Sequence, residues 1–151
     1  MRVDKSHGTA GPNPGAAGGS SGKNLQGRSW LILVVDDDPK TYNAIRLNLP
    51  KDYEIIGSAS GEESLEMMEA YQPDLIILDS HLPGQDGFKL CRELRRRTDP
   101  RHIPVIFLTV RPEGVRPLKS LKIEGSAYLM KPLDPRKLLG TIERLLDQAP
   151  L

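Results

Sequence analysis

Short apolar runs alternate with amphipathic stretches from Trp30 onward, and this alternation limits the chain to very few folds. The strongest runs are Trp30–Val35, Leu75–Leu78 and Val105–Leu108, and weaker ones occupy Tyr53–Ser58 and Ala127–Met130. Strands that are apolar on both sides are typical of a parallel sheet covered by helices on both faces. We therefore predict an α/β fold with a doubly wound, five-stranded parallel sheet and about five helices.

Helix signals lie between these predicted strands. Asp38-Pro39 and Asp134-Pro135 each combine an N-cap with a proline at the first helical position, and Ser60-Gly61-Glu62-Glu63 is a capping box. A third helix carries apolar residues at three-residue spacing between Phe88 and Leu94. Prolines leave room for only a short fourth helix around Leu118–Ile123.

The first 29 residues differ in composition from the rest of the chain. They hold seven of the 14 glycines and no aromatic residue, so we predict a flexible Gly/Pro/Ser-rich tail over 1–29 and one folded domain over 30–148. Without the tail, 17 basic and 19 acidic side chains remain, a formal charge of −2. This balance argues against a direct nucleic-acid or membrane partner.

One cysteine and the absence of a long apolar segment bear on the compartment. Cys91 excludes an internal disulfide, and its place on an apolar helix stripe predicts a core residue. No run approaches the roughly 20 apolar residues of a membrane-spanning helix, and no apolar stretch follows Arg2 and Lys5 as in a secretory signal. We expect a cytoplasmic protein.

Polar residues directly follow four of the predicted strands. The first strand ends in Asp36-Asp37-Asp38, the third in Asp79, the fourth in Thr109 and the fifth in Lys131-Pro132. The carboxyl ends of parallel strands meet at one edge of the sheet, which is where ligands bind in this architecture. We assign Asp38 only a helix-capping role, since Asp followed by Pro is a common helix start.

Carboxylates gathered at one sheet edge require a cation or a proton. Two carboxylates about 4 Å apart repel by roughly 4 kcal/mol at an effective dielectric constant of 20. Ligands that are all oxygen favour a hard ion such as Mg²⁺, with Mn²⁺ as a second candidate. A carboxylate can attack phosphorus to form an acyl phosphate, and a metal ion, an ammonium and a hydroxyl group can stabilise that transition state.

The chain resembles the receiver domain of bacterial two-component response regulators over essentially all of Trp30–Gln148. Five motifs in chain order carry this resemblance: Leu33–Pro39, Asp74–Asp79, Leu82–Gly87, Pro104–Thr109 and Tyr128–Pro132. The resemblance implies the flavodoxin-like receiver fold. It also implies a signalling module, here a stand-alone receiver or a fragment of a longer regulator, that assists its own phosphorylation and dephosphorylation without being a turnover enzyme.

The resemblance also implies a role for each residue of the site. Asp79 would accept the phosphoryl group from a histidine kinase or a histidine phosphotransfer protein. Asp37 would hold Mg²⁺ directly and Asp36 through water, with Asp79 and the backbone carbonyl of His81 as further ligands. Lys131 would pair with the phosphoryl group.

A switch and an output surface follow from the same resemblance. Thr109 would move to hydrogen-bond the phosphoryl group, and the rotamer of Tyr128 would follow it. The Lys131-Pro132 peptide bond would be cis. A downstream protein would bind the face made by the predicted fourth helix, fifth strand and fifth helix, and a homodimer through the last helix stays open.

Some features depart from the family or allow other interpretations. Val110 is larger than the residue usual after Thr109 and puts the rates of phosphorylation and hydrolysis in question. The turn from Gly125 to Tyr128 is one residue shorter than usual, so the output surface is a weaker prediction than the acceptor site. The His81 side chain either tunes hydrolysis of the acyl phosphate or is a solvent-exposed loop residue. The arginines at 92, 95–97 and 101 form either a docking or nucleic-acid patch or, more simply, a solvated helix end.

Three other functions remain as alternatives. A receiver-shaped adaptor would bind partners without phosphorylation. A small phosphatase of the haloacid dehalogenase type would use the Asp-x-Asp at Asp36–Asp38, but it also needs an acidic pair after a later strand. The only aspartates that follow Lys131 are Asp134 and Asp147, and both belong to the last helix and its start. A flavin-binding module would need phosphate donors where this chain has three carboxylates.

Overall fold

The computed structural model describes residues 27–97, 103–110 and 126–148. Five parallel strands form one sheet in the order β2-β1-β3-β4-β5. The strands are β1 (Leu31–Val35), β2 (Glu54–Ser58), β3 (Leu75–Asp79), β4 (Val105–Thr109) and β5 (Ser126–Met130). The helices in the described ranges are α1 (Pro39–Asn48), α2 (Gly61–Tyr71), α3 (Gly87–Arg96) and α4 (Pro135–Gln148). The predicted doubly wound α/β class is confirmed.

Two predicted segments lie outside the described residues. They are residues 1–26 of the predicted tail and the short helix at 118–123. The helix expected after Asp134 is therefore α4 here, and Asp134 does cap it, since its Oδ1 accepts the Arg136 N–H at 2.9 Å. No helix within the described part of the chain is long and apolar enough to span a membrane.

The sheet is covered on both faces, as the apolar runs predict. Every residue of β1, β3 and β4 is buried. On one face Met67 and Met68 of α2 and Leu94 of α3 pack in a single apolar cluster. On the other face Ile45 of α1 and Ile142 of α4 pack in a second cluster. Burying the three central strands on both sides removes their backbone from water and fixes the positions of their carboxyl ends.

Cys91 belongs to the first of these clusters. Its side chain is fully buried, and burial raises the pKa of its thiol to about 11 although Arg95 and Arg92 oppose that shift. The thiol therefore stays protonated at neutral pH, in agreement with a core role.

The helix starts predicted at Asp38 and Ser60 form as expected, and Asp86 caps α3 in the same way. Asp38 Oδ1 accepts the Lys40 N–H at 2.9 Å, and Asp86 Oδ1 accepts the Phe88 N–H at 2.8 Å. Ser60 Oγ accepts the Glu63 N–H at 3.1 Å, while Glu63 accepts in return from the backbone of Ala59. These caps satisfy N–H groups that a helix leaves without intrahelical partners.

The start of α3 lies unusually close to the end of β3. A Cβ atom on Gly87 would sit 2.8 Å from Ser80 Cα and 3.0 Å from the backbone oxygen of Asp79. Backbone atoms cannot yield as a flexible side chain can. Only glycine therefore lets the first turn of α3 contact the loop that follows Asp79.

We predict that Gly87→Ala destabilises the chain by about 1–3 kcal/mol, because the added methyl group forces α3 away from the loop after β3. Gly140→Ala is the matched control, since nothing lies within 4 Å of a Cβ at that position of α4. We expect it to be neutral or to stabilise by up to about 1 kcal/mol. Urea unfolding followed by circular dichroism measures both, and equal midpoints for the two variants would contradict the close-contact explanation.

Candidate functional site

Three carboxylates meet at the carboxyl edge of the sheet. One oxygen from each of Asp36, Asp37 and Asp79 lies within 4.8 Å of the others. The register explains this, because Val35 pairs with Leu78 and the next residues of β1 and β3 must emerge side by side. Neighbouring parallel strands thus bring together residues that are more than 40 positions apart in the chain.

The three carboxylates differ in their exposure. Asp36 and Asp79 are 6% and 7% exposed, whereas Asp37 is open to solvent. Backbone N–H groups orient the two buried carboxylates: Asp38 N donates to Asp36 Oδ1 at 2.9 Å, and His81 N donates to Asp79 Oδ1 at 3.0 Å. In each buried carboxylate the Oδ2 atom is left for other partners.

Lys131 supplies the positive charge that faces these oxygens. Its Nζ lies 2.8 Å from Asp36 Oδ2 and 3.6 Å from Asp79 Oδ2. Its backbone N–H donates to the carbonyl of Thr109 at 2.9 Å, and the Lys131-Pro132 peptide bond is cis. The side chain therefore reaches from the end of β5, an edge strand, across to the end of β1.

The electrostatics of the site follow from burial and from crowded charge. Burial raises the pKa of Asp79, and the charges of Asp36 and Asp37 raise it further against the opposing effects of the His81 N–H and Lys131. Burial alone would lower the pKa of Lys131, but its hydrogen bond and charge interaction with Asp36 and its attraction to Asp79 outweigh burial, so that pKa is raised. The ammonium form of Lys131 is thus held at neutral pH.

Thr109 and Tyr128 lie on neighbouring strands beside this cluster. Thr109 is buried and follows Leu108, which is the register partner of Asp79. Tyr128 pairs with Phe107, and their rings lie 5.6 Å apart. Of the two residues expected to form a switch, Thr109 therefore lies on the strand next to the acceptor strand, and Tyr128 lies one strand further out.

Other residues noted in the sequence lie at the margin of the site. His81 is exposed, and its Nδ1 lies 2.9 Å from Ser80 Oγ. Val110 is 60% exposed, directly after Thr109. Both side chains are therefore exposed to solvent, close in sequence to Asp79 and Thr109.

The arginines noted in the sequence have different partners in the structure. Arg95 Nε donates to the Ile103 carbonyl at 3.0 Å, and its Nη2 donates to Ser126 Oγ at 3.3 Å, so it joins α3 to the starts of β4 and β5. Arg97 pairs with Glu69 of α2. Arg101 lies outside the described residues.

Phe88 is the residue near the site that the sequence did not single out for function. Its ring lies 4.9 Å from Phe107 and 6.4 Å from Tyr128, so three aromatic rings connect α3, β4 and β5. Three-residue spacing within α3 predicts only a core position. No local signal could show which rings meet, because that depends on how α3 packs on the sheet.

The residues of the cluster fit a hard divalent cation. All the candidate side-chain ligands are carboxylate oxygens, two are buried and oriented by backbone N–H groups, and the third opens to solvent. Such a set matches the preference of Mg²⁺ for a few carboxylates with remaining positions for water or phosphate oxygen. Among the described residues, only this group brings together three or more acidic, histidine or cysteine side chains that could hold a metal ion.

We predict that Asp79→Asn raises the melting temperature at neutral pH by a few degrees, about 2–6 °C. Folding raises the pKa of Asp79, so the folded chain binds this proton more tightly and loses stability as the pH rises through and beyond the ordinary carboxyl value. The gain should vanish at about pH 3, where the carboxyl group is protonated in both states.

Added Mg²⁺ should make the parent chain more stable than Asp79→Asn. The ion stabilises the folded state more when it binds more tightly, and the variant has lost one carboxylate ligand. Thermal unfolding with and without Mg²⁺ measures both effects. A variant that is less stable than the parent chain in chelator, at neutral pH, would show that repulsion does not dominate the cluster.

Two curated relatives contain a segment that is similar to this chain. The transcriptional regulatory protein AfsQ1 of Streptomyces coelicolor is 36% identical over 116 residues, which is 76% of this chain and 50% of the relative. The alkaline phosphatase synthesis transcriptional regulatory protein PhoP of Bacillus subtilis is 33% identical over 119 residues, 78% of this chain and 49% of the relative. The chain spans about half the length of these relatives.

The sequence-based exclusion of nucleic acid from the partners is wrong. The relatives are transcriptional regulators by name. The exclusion rested on the net charge of residues 30–148, and that charge describes the surface of one domain only. It carries no information about the half of each relative that this chain does not match.

Solved structures and a family model agree with the fold. A CheY-like response regulator receiver domain protein from Methanospirillum hungatei is 30% identical with a TM-score of 0.69, covering 79% of this chain and 94% of that one. A two-component response regulator from Clostridium difficile has a TM-score of 0.69 at 26% identity, covering 80% of this chain and 98% of that one. Residues 32–143 match the response regulator receiver domain model. The chain therefore belongs to the response regulator receiver family of two-component systems.

Proposed function

We propose that this receiver accepts a phosphoryl group on Asp79 from a histidine kinase or a histidine phosphotransfer protein, with Mg²⁺ bound beside it. One observation carries the proposal: the Lys131 ammonium faces the Oδ2 atoms of Asp36 and Asp79 at 2.8 Å and 3.6 Å. A cation so close to a carboxylate within an acidic cluster supports phosphoryl transfer, because it can stabilise the charge on the transferred group.

The metal ion would be held by Asp36, Asp37, Asp79 and the backbone carbonyl of His81. When bound, Mg²⁺ would neutralise charge on the cluster and on the phosphoryl oxygens, with Mn²⁺ as a substitute of similar ligand preference. The exposed carboxylate of Asp37 gives the ion a route from solvent. The acyl phosphate would then form in a site that carries less net negative charge.

The transfer itself needs little from the protein beyond position and charge. Asp79 Oδ1 is held by the His81 N–H, which leaves Oδ2 to form the new bond to phosphorus. The phosphorus–nitrogen bond of the donor phosphohistidine breaks, and its electron pair stays on the imidazole nitrogen. After the transfer, the Lys131 ammonium would form an ion pair with an oxygen of the phosphoryl group.

A conformational switch would report the phosphorylated state. The Thr109 hydroxyl would turn to the phosphoryl group, and Tyr128 on the neighbouring strand would change its rotamer as space beside Phe107 changes. Phosphorylation would shift the population between two conformations that differ in the positions of these side chains, as it does in other switches. Since the named relatives regulate transcription, we extend the proposal to control of transcription by a protein built on this receiver.

Intact-mass spectrometry after incubation with acetyl phosphate and Mg²⁺ tests the acceptor. We expect the parent chain and Asp147→Asn, a control on the exposed end of α4, to gain one phosphoryl group that chelator abolishes. Asp79→Ala should gain none, because the nucleophile is absent. A gain that persists in Asp79→Ala would contradict the assignment.

The same experiment separates the alternatives. No gain in the parent chain, together with failure of a beryllofluoride complex to form, would favour an adaptor that acts without phosphorylation. Turnover of phosphomonoesters that depends on Asp36 but not on Asp79 would favour the phosphatase.

Lys131→Met should lower the rate of phosphorylation by acetyl phosphate by about 100-fold, the usual effect of removing one charge-stabilising donor from a transition state. The control is Lys137→Met on the exposed face of α4. Rates are read from the time course of the phosphorylated mass peak at saturating Mg²⁺. A rate within about twofold of the parent would show that the ammonium does not act on the transferred group.

A further inference from the structure

Two neighbouring helices on one face of the sheet carry opposite charge. The helix α2 contains four glutamates and no basic residue, whereas α3 contains one lysine, three arginines and one glutamate. Both helices pack on the same apolar cluster, and they contact each other. An acidic surface and a basic surface therefore lie side by side on the outside of the molecule.

The exposed acids of α2 form one line along the helix. Glu62, Glu66 and Glu69 are all exposed, and their spacings of four and three residues place them on the same side of α2. The line spans seven residues, which is about 10 Å of helix.

The exposed cations of α3 form a matching line. Lys89, Arg92 and Arg96 are exposed at spacings of three and four residues. This line also covers a separation of seven positions, so the acidic and basic lines have the same length. We call the surface made by these two lines the dipolar face.

Within the described residues, the ion pairs of α2 and α3 lie near the carboxyl-terminal ends of these two helices. Arg97 pairs with Glu69, and Arg96 Nη2 lies 2.7 Å from Glu93 Oε1. Four side chains of the dipolar face form no ion pair with another residue in the described ranges: Glu62, Glu66, Lys89 and Arg92. Most of the face thus keeps its charge available to a partner.

The arrangement of charge selects the kind of partner. A polyanion drawn to α3 would be repelled at the same time by the carboxylates of α2, and a basic partner would meet the reverse conflict. A partner that satisfies both lines must carry acid opposite α3 and base opposite α2. A second copy of this chain does so when it is rotated about a two-fold axis parallel to the helices, because α2 of each copy then faces α3 of the other.

We propose that the dipolar face is an isologous interface between two copies of this chain, held by charge. Glu66 and Arg92 are central in their lines, so each faces the other across the interface, twice per dimer. Exposed ion pairs are individually weak and are screened by salt, so the dimer should form at high protein concentration and low ionic strength.

Sedimentation equilibrium of the full chain tests this interface. At about 20 mM NaCl we expect the weight-average mass to rise with concentration toward twice the monomer mass, and at about 0.5 M NaCl to return to the monomer mass. A monomer at all concentrations up to about 0.5 mM at low salt would overturn the proposal. So would an association that salt leaves unchanged.

Charge reversal identifies the face that associates. Glu66→Arg and Arg92→Glu should each be monomeric at low salt, because like charges then meet at the centre of the interface. An equimolar mixture of the two variants should regain the dimer, since the heterodimer again sets opposite charges against each other at both centres. Failure of the mixture to associate would overturn the two-fold arrangement.

Matched controls and a competing ligand complete the test. Arg144→Glu and Asp147→Arg reverse exposed charges on α4, so both should dimerise like the parent chain. Binding of double-stranded DNA at low salt is the competing outcome. If Glu66→Arg strengthened DNA binding, Arg92→Glu abolished it, and the weight-average mass of the parent chain did not rise with concentration, the dipolar face would be a nucleic-acid surface. The proposal would then fail. Neither outcome depends on phosphorylation of Asp79.

Discussion

Electrostatic repulsion among carboxylates at one sheet edge is the constraint on which the rest of this structure depends. Asp36 and Asp79 are nearly buried, lie close together, and are flanked by Asp37. Such a group is costly unless a cation faces it, because the low dielectric of the interior strengthens repulsion. Lys131 supplies that cation and must therefore stay at the edge.

The remainder of the fold holds these charges in place. The three central strands are buried on both faces, so their ends cannot shift without disturbing two apolar clusters. Backbone N–H groups of the following loops orient Asp36 and Asp79, and Gly87 allows α3 to pack directly on the loop after β3. A bound cation or a phosphoryl group would change the balance of charge within a frame that is otherwise stiff. Under the proposed function, phosphorylation of Asp79 would bias the packing of Thr109 on β4 and of Tyr128 on β5.

Much of this could be predicted from the chain because the informative patterns are local. Apolar runs identify strands, Asp38, Ser60 and Asp134 identify helix starts, and polar residues directly after strands identify the ligand-binding edge. The prediction that excluded nucleic acid was wrong because it, too, used only information from this part of the chain. Net charge is a property of the residues that are counted, and the relatives are about twice as long as the matched segment.

Other features could not be predicted because they depend on distances between remote residues. The pairing of Lys131 with Asp36 joins positions that are 95 residues apart, and it follows from the strand order and register. The ring contacts of Phe88 follow from how α3 packs on β4 and β5, and the adjacency of acidic α2 and basic α3 follows from both helices lying on one face.

The sequence by itself determined the fold class, the helix caps and the types of side chain at the site, since each of these depends on neighbours a few residues away. Only the tertiary structure decided which carboxylates are buried, which oxygen faces the ammonium and which charged helices lie side by side. Those properties arise from packing, where strands and helices from distant parts of the chain meet.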